Sequence, residues 1–390
     1  MNGISTADKV AKAYQEHWGA PTLIARSPGR VNIIGEHTDY NEGFVLPAAI
    51  DKAVYVAIGR RDDERIELQA LEFNETFSST LDTIAPRPGQ WTNYILGVVA
   101  QFHKRGHRLG GFNLVLDGEV PFGAGLSSSA AVECATAFAL NELFGTGIPR
   151  EELIYIAQKA EHEYAGVMCG IMDQFASVFG KAGHAVRLDC RSMDYEYVPL
   201  EMEGYKLLLL NTNVKHSLAS SEYNTRRMQC EAGIALVQQQ YPDVKSLRDV
   251  TVEQLNECVR DKDELVYRRC KFVVEENERL LAGCEDLKRG DLTELGMKMY
   301  RTHRGLSEEY EVSCSELDFL VNAVRENDAV LGARMMGGGF GGCTINIVRE
   351  DAIDGLVREL APKYKEATGL ELTPIIVQVD DGSSIVSKGG

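Results

Sequence analysis

The segment of residues 27–43 constrains the fold and function of this chain more than any other stretch of its sequence. It reads SPGRVNIIGEHTDYNEG, so that five polar or charged side chains surround a short apolar run. Val31, Ile33 and Ile34 predict a buried strand, and residues 36–41 predict the turn that leaves it. A rigid strand end of this kind can hold a polyol, because each hydroxyl group needs its own fixed partner. An ordinary polar loop with one hydrogen-bonded histidine is the alternative, and the other motifs favour the functional interpretation.

The composition limits the partners that this chain can have. Its 390 residues predict two domains, and 58 acidic against 41 basic residues give a net charge of −17. We expect neither nucleic acid nor an anionic membrane as a partner, because no basic surface is available to neutralise phosphates. The nine cysteines contain no Cys-x-x-Cys pair, and we find no signal sequence and no apolar run of the ~20 residues that span a bilayer. These features predict a cytoplasmic protein with reduced thiols and imply no obligatory protein partner.

The pattern of apolar residues predicts strands, then helices, then strands. Strands are expected at residues 45–57, 66–70, 112–116, 185–189, 205–211, 344–348 and 373–379. Helices are expected at residues 10–18, 93–104, 129–143, 151–164, 172–179, 222–240, 264–282, 291–310 and 315–325. This order is typical of an α+β protein and not of a regular βαβα alternation. The change to long charged helices predicts a domain boundary near residues 200–210.

A loop rich in glycine and serine has the composition of a phosphate-binding site. Residues 121–130, PFGAGLSSSA, lie between a predicted strand and an apolar helix. Two glycines let backbone amides converge, and three serines add hydroxyl donors at a helix N-terminus, where the helix dipole favours an anion. The loop is not a Walker A motif, because no Gly-Lys-Ser or Gly-Lys-Thr follows. A serine N-cap on an ordinary core helix is the alternative.

A second glycine-rich loop, residues 334–343, reads RMMGGGFGGC. It contains the spacing Gly-x-Gly-x-x-Gly, but a dinucleotide-binding fold needs a helix directly after it, whereas residues 343–348 predict a strand. A protein kinase would also carry Val-Ala-Ile-Lys, His-Arg-Asp and Asp-Phe-Gly elements, which are absent from this sequence. Five glycines among six residues therefore predict a close backbone approach to another group.

A candidate catalytic carboxylate lies in residues 169–174, CGIMDQ. Asp173 follows a glycine turn and has apolar neighbours, so it is either the N-cap of the next helix or a functional acid. Phosphoryl transfer asks a protein mainly for positioning and charge stabilisation, with one group that receives or orients the proton of the acceptor. A carboxylate in this position can fill that role.

Three of these segments carry a resemblance to a known family. Residues 27–43 resemble the signature of the galactokinases. Residues 121–130 and 334–343 resemble the second and third motifs of the wider group of galactokinase, homoserine, mevalonate and phosphomevalonate kinases. The resemblance runs in order from about residue 20 to about residue 380. One departure is Met336, where many members carry a small hydroxyl residue, so this hydroxyl is either dispensable here or replaced by another donor.

The resemblance implies an α+β, two-domain small-molecule kinase fold with a ribosomal-protein-S5-like N-terminal domain. The N-terminal domain, residues 1–204, would carry the sugar motif and the phosphate loop. The C-terminal domain, residues 205–390, would carry the glycine-rich third motif. The active site is expected in the cleft between the two domains.

The resemblance also implies roles for individual residues. Asp173 would accept or orient the proton of the sugar's anomeric hydroxyl, and Arg30 would keep Asp173 ionised and offset charge on the transferring phosphoryl group. The sugar-binding residues that it implies are Glu36, His37, Thr38, Asp39, Gly170 and Tyr223. The nucleotide-binding residues that it implies are Gly123, Ala124, Gly125, Leu126, Ser127, Ser128, Ser129 and Trp91.

The family also implies Mg²⁺ as the cofactor, bound together with ATP. Its protein ligands would be Ser129 and Glu161, because a hydroxyl and a carboxylate are the hard oxygen ligands that Mg²⁺ prefers. Glu163 is the rival for the carboxylate position.

The activity that the resemblance implies is transfer of the γ-phosphate of ATP to the anomeric hydroxyl of α-D-galactose, the first phosphorylation step of galactose catabolism. One alternative is another sugar 1-kinase, for N-acetylgalactosamine, galacturonate or arabinose. A second alternative is a galactose sensor without turnover. Sensors on this scaffold have lost the serine-alanine step of the phosphate loop, whereas this chain retains Ser129 and Ala130 together with Arg30 and Asp173. An enzyme is therefore favoured.

Overall fold

The computed structural model describes residues 4–214 and 219–388. The strands are β1 (Leu23–Asn32), β2 (Phe44–Val45), β3 (Pro47–Arg60), β4 (Arg65–Ala70), β5 (Glu75–Thr80), β6 (Phe112–Gly118), β7 (His184–Asp189), β8 (Tyr195–Pro199), β9 (Tyr205–Asn211), β10 (Val330–Met335), β11 (Cys343–Arg349), β12 (Thr373–Val377) and β13 (Ser384–Lys388). The α-helices are α1 (Thr6–Trp18), α2 (Asn93–Lys104), α3 (Ser128–Phe144), α4 (Arg150–Ala160), α5 (Met172–Phe179), α6 (Ala219–Gln238), α7 (Val252–Cys258), α8 (Glu264–Lys288), α9 (Leu292–Arg304), α10 (Ser315–Val324) and α11 (Ile353–Thr368). The mixed content confirms the α+β prediction. In the part of the chain that is described, no helix combines the length and apolar character needed to cross a membrane.

The first sheet has six strands in the order β13-β1-β3-β6-β4-β5. Strands β1 and β3 are antiparallel, and their register shifts between Pro28 and Arg30. At this irregularity the backbone N–H of Arg30 donates to the carbonyl of Leu126 at 3.0 Å. Gly29 allows this approach, because a Cβ there would lie 2.7 Å from the same carbonyl oxygen. The end of β1 is thereby joined to the phosphate loop, and a register irregularity of this kind re-aims the side chain that follows.

Helix α3 fixes the phosphate loop against this sheet. It begins directly after the loop and packs on β1 and β3. Small apolar residues give it a close approach to the sheet, and Ala130, Ala131 and Ala135 are completely buried. Because the helix is apolar on nearly all of its faces, it belongs in the interior of the molecule. The loop therefore starts from a rigid support.

Two smaller sheets complete the molecule. One has the order β10-β11-β9-β12 and the other has the order β2-β7-β8. Strand β13 pairs antiparallel with β1, so the last described strand returns to the first sheet. The division into residues 1–204 and 205–390 stays a prediction. It would assign β13 to the second half, although β13 pairs with β1 of the first half.

The structure confirms several predicted elements and corrects others. Helices α2 and α5 and strand β9 have the predicted bounds. The helix predicted over residues 151–164 ends as an α-helix at Ala160 and continues as one π-helical turn, Glu161–Ala165. The apolar run predicted as a strand leaves the sheet at Asn32, because Gly35 adopts a φ of +92° in the turn that follows. Elements β5, β8, β10, β13, α7 and α11 are additions that the apolar pattern did not predict.

Candidate active site

A cavity of about 260 Å³ lies where the turn after β1 meets the segment before α5 and the second glycine-rich loop. Residues from both predicted domains line it, as expected for a site in the cleft between them. The lining residues are Arg30, Glu36, His37, Asp39, Glu161, Val167, Cys169, Met172, Asp173, Tyr223, Gly337, Gly338 and Gly339. Thr38 and Gly170, which were also predicted at the sugar site, are not among them. The structure thus brings most of the predicted catalytic and sugar-binding residues to one place.

Arg30 and Asp173 form a bidentate ion pair in this cavity. Nε of Arg30 donates to Oδ1 of Asp173, and Nη2 donates to Oδ2, each at 2.8 Å. The remaining nitrogen, Nη1, donates to the carbonyl of Gly125 at 2.5 Å. Burial alone would lower the pKa of Arg30, but the charges of Asp173 and Glu36 raise it above its ordinary value. A permanent positive charge therefore lies between the carboxylate and the phosphate loop.

Neither Ser127 nor Asp173 caps a helix with its side chain. Ser127 is the N-cap residue of α3, yet its hydroxyl makes no capping bond and instead donates to Oδ2 of Asp173 at 2.5 Å. Ile171, not Asp173, is the N-cap residue of α5. The Asp173 carboxylate lies in the first helical turn and is directed at Arg30 and Ser127. Its side chain remains 23% exposed, which leaves it open to the cavity.

Ser129 and Glu161, the predicted metal ligands, lie together. The hydroxyl of Ser129 donates to Oε1 of Glu161 at 3.1 Å, and Nε2 of Gln174 donates to Oε2 at 2.9 Å. Burial and the charge of Asp173 raise the pKa of Glu161 to about 7. The rival, Glu163, accepts hydrogen bonds from α2 and is therefore committed elsewhere.

Glu133 is a third carboxyl group behind this pair, and sequence reasoning gave it no role. It is completely buried on α3, and Nε2 of Gln174 donates to its Oε2 at 3.3 Å. Burial and the neighbouring Glu161 hold the pKa of Glu133 well above its ordinary value. Its Oε1 has no hydrogen-bond partner among the described residues. The charges of Glu161 and Asp173 both raise the pKa of Glu133, so three carboxyl groups lie near one another on α3, α5 and the turn after α4, a distribution of charge that favours a cation.

Asp39 and Gly170 are in direct contact. A Cβ at position 170 would lie 1.8 Å from Oδ2 of Asp39, so only glycine leaves room for this carboxyl group. Burial, followed by the charge of Asp173, raises the pKa of Asp39 to about 7. Gly170 therefore shapes the site without lining it.

Glu36 is held by a residue that sequence reasoning missed. Nη1 of Arg334 lies 3.0 Å from Oε1 of Glu36, and both side chains are almost completely buried, at 0% and 2% exposure. The backbone N–H of Gly337 donates to the same oxygen at 2.8 Å, and Nε of Arg334 donates to the carbonyl of Ile33 at 2.9 Å. Arg334 lies at the edge of the third motif, but its role depends on Glu36, which is 298 positions away in the sequence.

His37 occupies a strained backbone position. Its φ is +61°, in the left-handed region that costs a residue other than glycine of order 1–3 kcal/mol. Nδ2 of Asn41 donates to the His37 carbonyl at 2.9 Å and helps to hold this conformation. Burial and the charge of Arg226 lower the pKa of His37 to about 3, so the imidazole is neutral. Strain retained beside a cavity is typical of functional sites.

Thr38 and Tyr223 differ in what their side chains contact. The buried hydroxyl of Thr38 lies 2.5 Å from the Phe44 carbonyl and 3.1 Å from the Gly35 carbonyl, so it stabilises the turn. The ring of Tyr223 lines the cavity, with its centroid 5.3 Å from that of His37. Sugar binding by Tyr223 fits this placement better than sugar binding by Thr38.

A second cavity of about 440 Å³ contains Trp91. Phe73, Tyr94 and Phe122 line it as well, and the rings of Phe73 and Phe122 are nearly perpendicular with centroids 5.1 Å apart. Nε1 of Trp91 donates to a carboxylate oxygen of Glu75 at 2.7 Å. Phe122 could have been found from its place in the phosphate loop, whereas Phe73 lies in a turn without a motif. An exposed aromatic group beside a phosphate loop is suited to a purine base.

The third motif lies against the phosphate loop, as predicted. A Cβ at Gly342 would be 3.3 Å from the Ala124 backbone, and one at Gly125 would be 3.2 Å from the Met336 carbonyl. Gly125 and Gly337 both have positive φ, at 76° and 82°. The Met336 side chain, at 1% exposure, belongs to the hydrophobic core. The hydroxyl that many members carry at this position is therefore not needed to join the two loops.

Comparison with known proteins agrees with this geometry. The family model described as "Galactokinase galactose-binding signature" matches residues 12–60, and the models "GHMP kinases N terminal domain" and "GHMP kinases C terminal" match residues 93–181 and 285–366. Galactokinase of Thermotoga maritima is 44% identical over 360 residues, which cover 92% of this chain and 99% of the relative. The chain belongs to the galactokinase family.

Another curated relative and two solved structures are also similar to this galactokinase-family protein. Galactokinase of Roseiflexus sp. is 40% identical over 375 residues and covers 96% of each protein. The crystal structure of Lactococcus lactis galactokinase complexed with galactose superposes with a TM-score of 0.92 and 34% identity, covering 96% of this chain and 98% of that one. Methanococcus jannaschii mevalonate kinase shares the fold, with a TM-score of 0.65 at 18% identity over 93% of this chain and all of that one.

Proposed function

We propose that this galactokinase-family enzyme transfers the γ-phosphate of ATP to the anomeric hydroxyl of α-D-galactose, giving galactose 1-phosphate and ADP. The observation that best supports this reaction is the position of Arg30. It holds the carboxylate of Asp173 with two donors and the phosphate loop at Gly125 with the third. One side chain thus links the group that would meet the sugar hydroxyl to the loop that would bind the phosphates. The relatives named galactokinase, and the Lactococcus structure with bound galactose, support the same assignment.

The chemistry requires that the anomeric oxygen form a bond to the γ-phosphorus while the bond to the ADP oxygen breaks. Asp173 orients the anomeric hydroxyl and receives its proton. Arg30 and Ser127 donate to the carboxylate oxygens and hold Asp173 in place, and we propose that it takes the proton as the new bond forms. Arg30 offsets the negative charge on the phosphoryl group as it moves.

The sugar would lie in the first cavity. Glu36, Asp39 and Tyr223 line it beside the catalytic pair, and each can meet a different hydroxyl group. The His37 ring lines it as well, with both of its nitrogens already hydrogen-bonded to the protein. A binding site built from such partners rejects an analogue that leaves one of them unpaired. Thr38 and Gly170 support the sugar-binding residues through the turn and through the space left for Asp39.

The nucleotide would span the phosphate loop and the second cavity. The loop of residues 121–127 precedes α3, whose free N–H groups and dipole favour the phosphates. The Ser127 hydroxyl, already 2.5 Å from Asp173, marks the end of this loop that faces the sugar. The base would pack against Trp91 in the second cavity.

We propose Ser129 and Glu161 as the protein ligands of Mg²⁺. Both present hard oxygens, and the cluster of buried carboxyl groups around Glu161 fits a cation. No group of three or more histidine, cysteine, aspartate or glutamate side chains suited to a metal occurs among residues 4–214 and 219–388. Nucleotide oxygens and water would therefore supply most of the coordination. When bound, Mg²⁺ neutralises charge on the phosphates.

The metal assignment predicts that Glu161→Gln raises the Mg²⁺ concentration needed for half-maximal activity, because a neutral amide is a weaker ligand. The metal dependence of nucleotide binding, measured by calorimetry, should weaken in parallel. Glu163→Gln is the matched control and should leave both titrations unchanged, since Glu163 bonds Lys104 and Gln101. Unchanged titrations for Glu161→Gln would contradict the assignment.

A phosphorylation assay with four sugars tests the proposed function. Galactose, N-acetylgalactosamine, galacturonate and arabinose are each supplied with ATP and Mg²⁺, and sugar 1-phosphate is quantified. The proposal expects galactose to give the highest kcat/KM. A higher value for another sugar would identify a different sugar 1-kinase, and galactose binding without any product would identify a sensor.

We also propose that the enzyme works in the cytoplasm. All nine cysteines are free, and most of them are buried. Unpaired thiols are typical of proteins from a reducing compartment. Expression in an oxidising and in a reducing compartment, followed by activity measurement, would test this placement.

A further inference from the structure

A chain of hydrogen bonds leads from the sugar cavity into the interior of the second half of the molecule. Nε2 of His37 lies 3.2 Å from the carbonyl oxygen of Gly338, and Nδ1 lies 2.7 Å from the hydroxyl of Tyr40. The Tyr40 hydroxyl is 2.7 Å from that of Tyr310, which in turn is 3.3 Å from Sγ of Cys230. Neither Tyr40 nor Tyr310 lines the cavity, and Tyr310 is completely buried.

One carbonyl group fixes the direction of every bond in this chain. The Gly338 oxygen can only accept, so Nε2 of His37 carries the proton. Nδ1 of the neutral ring must then accept, and the single hydroxyl proton of Tyr40 is used for this bond. Tyr310 therefore donates to Tyr40, and the Cys230 thiol donates to Tyr310. The arrangement allows only one tautomer of His37.

We propose that Tyr40 and Tyr310 are positioning residues for the sugar, because they hold the His37 ring in one tautomer and one orientation at the cavity. The inference rests on the proposed placement of galactose beside His37. His37 has a left-handed backbone conformation, which does not by itself fix the orientation of its ring. The ring therefore needs this support. The ring is also packed between Tyr310 and Tyr223, with centroids 4.9 Å and 5.3 Å away.

The geometry explains why the outer tyrosine matters as well as the inner one. Without the Tyr310 hydroxyl, the Tyr40 oxygen loses its donor, and the Tyr40 hydroxyl is held by its bond to His37 alone. Tyr40 can then shift, which weakens the hydrogen bond to the buried Nδ1 acceptor and lets the His37 ring move with it. Galactose would pack beside a ring that is no longer preorganised, and the loss would appear in sugar affinity.

Tyr310→Phe, Tyr40→Phe and a control, Tyr364→Phe, test this inference in the full chain. Tyr364 is as buried as Tyr310, and its hydroxyl donates to the Thr212 carbonyl at 2.8 Å, in a different hydrophobic cluster. We expect the first two variants to raise the KM for galactose about 10-fold, equal to ~1.4 kcal/mol, with the KM for ATP unchanged and kcat reduced less. Tyr364→Phe should change none of these values. Thermal midpoints should fall in all three variants, and further in Tyr40→Phe and Tyr310→Phe, which lose two hydroxyl hydrogen bonds each, than in Tyr364→Phe, which loses one.

Nitrogen-15 NMR of labelled histidine supplies a second readout. The wild-type spectrum should show His37 protonated at Nε2 with a hydrogen-bonded Nδ1, and the Nδ1 resonance should shift in Tyr40→Phe and Tyr310→Phe only. An unchanged KM for galactose in both variants, or an unshifted resonance, would overturn the inference.

His37→Ala separates this inference from the proposed sugar site. If His37→Ala raises the KM for galactose while the tyrosine variants do not, the positioning role is wrong and the sugar site stands. If His37→Ala leaves the KM for galactose unchanged, the placement of galactose beside His37 is wrong and the inference is overturned with it.

Discussion

Arg30 uses all three of its nitrogens as donors on two structural units, Asp173 and the phosphate loop. Its geometry therefore sets the distance between the Asp173 carboxylate and the Gly125 carbonyl of the phosphate loop. A lysine would keep the charge but could not hold both oxygens of Asp173 while it also bonds the Gly125 carbonyl. At the scale of single residues, the candidate site depends on the planar guanidinium group of Arg30.

The different roles proposed for Asp173 and Arg30 give the first prediction. Asp173→Asn keeps the shape and removes the base, so turnover should fall about 10²–10⁴-fold while galactose still binds. Arg30→Lys should lose less activity than Arg30→Ala, because it keeps the positive charge. Turnover and galactose binding are measured separately, by steady-state kinetics and calorimetry. Near-normal turnover of Asp173→Asn would leave positioning and Arg30 as the source of catalysis.

Asp39 should make the stability of the free enzyme depend on pH. Its pKa rises from the ordinary value of 3.8 to about 7 on folding, mainly because of burial. The stability that the protonated form contributes is complete below pH 3.8 and is lost as pH rises through about 7. Asp39→Asn should therefore raise the thermal midpoint relative to wild type by a margin that grows between about pH 4 and pH 8. Thermal melts without sugar or nucleotide measure this margin, and a margin independent of pH would contradict the prediction.

At the scale of elements, the segment between α4 and α5 places three functional groups at once. The π-helical turn after Ala160 carries Glu161 towards the start of α3, and such turns are frequent at functional sites. Gly170 then leaves space for Asp39. Helix α5 begins at Met172, so Asp173 lies in its first turn. The positions of these groups depend on the backbone path and not on any one side chain.

Gly170→Ala tests the importance of this path. Its φ is not in the left-handed region, and the three atoms nearest to a Cβ at this position all belong to the Asp39 side chain. We expect the KM for galactose to rise at least 10-fold with little change in the KM for ATP, because Asp39 is displaced from the cavity. Gly355→Ala, in α11 with open space around it, is the control and should be neutral or stabilising. Equal losses for galactose and ATP would show a general disturbance of the site.

The sequence predicted the elements that have a strong apolar period and missed those that depend on distant partners. Helix α2 has a clear apolar period and strand β9 has a continuous run of leucines, and both were placed correctly. Strand β13 consists mostly of exposed residues, and it exists because β1 offers an open edge. The site shows the same limit. Motif resemblance predicted Asp173 and Arg30, and the structure brings them together, whereas Arg334 and Tyr310 act through partners far away in the sequence.

At the scale of the whole molecule, buried charges join the two halves around the proposed sugar site. Arg334 on β10 pairs with Glu36 after β1 and also bonds backbone carbonyls at the end of that strand. Glu276 on α8 accepts from the Gly35 backbone N–H at 2.9 Å and pairs with Arg279. The turn that carries the proposed sugar-binding residues is thus held by polar contacts from the second half. We propose that the turn depends on these contacts, because they specify its conformation directly.

Arg334→Met and its combination with Glu36→Gln test this proposal. Arg334→Met leaves the Glu36 carboxylate buried with the Gly337 N–H as its one remaining hydrogen-bond donor among the described residues, and breaking a buried pair in this way costs about 3–5 kcal/mol of the free energy of unfolding. Glu36→Gln in the same chain removes the uncompensated charge, so the double variant should be more stable than Arg334→Met alone. Urea denaturation of wild type, both single variants and the double variant completes the cycle. Arg349→Met, which breaks an exposed pair with Asp351, should change stability little. If the double variant were as unstable as Arg334→Met, the cost would come from the lost backbone bonds of Arg334 and not from the stranded charge.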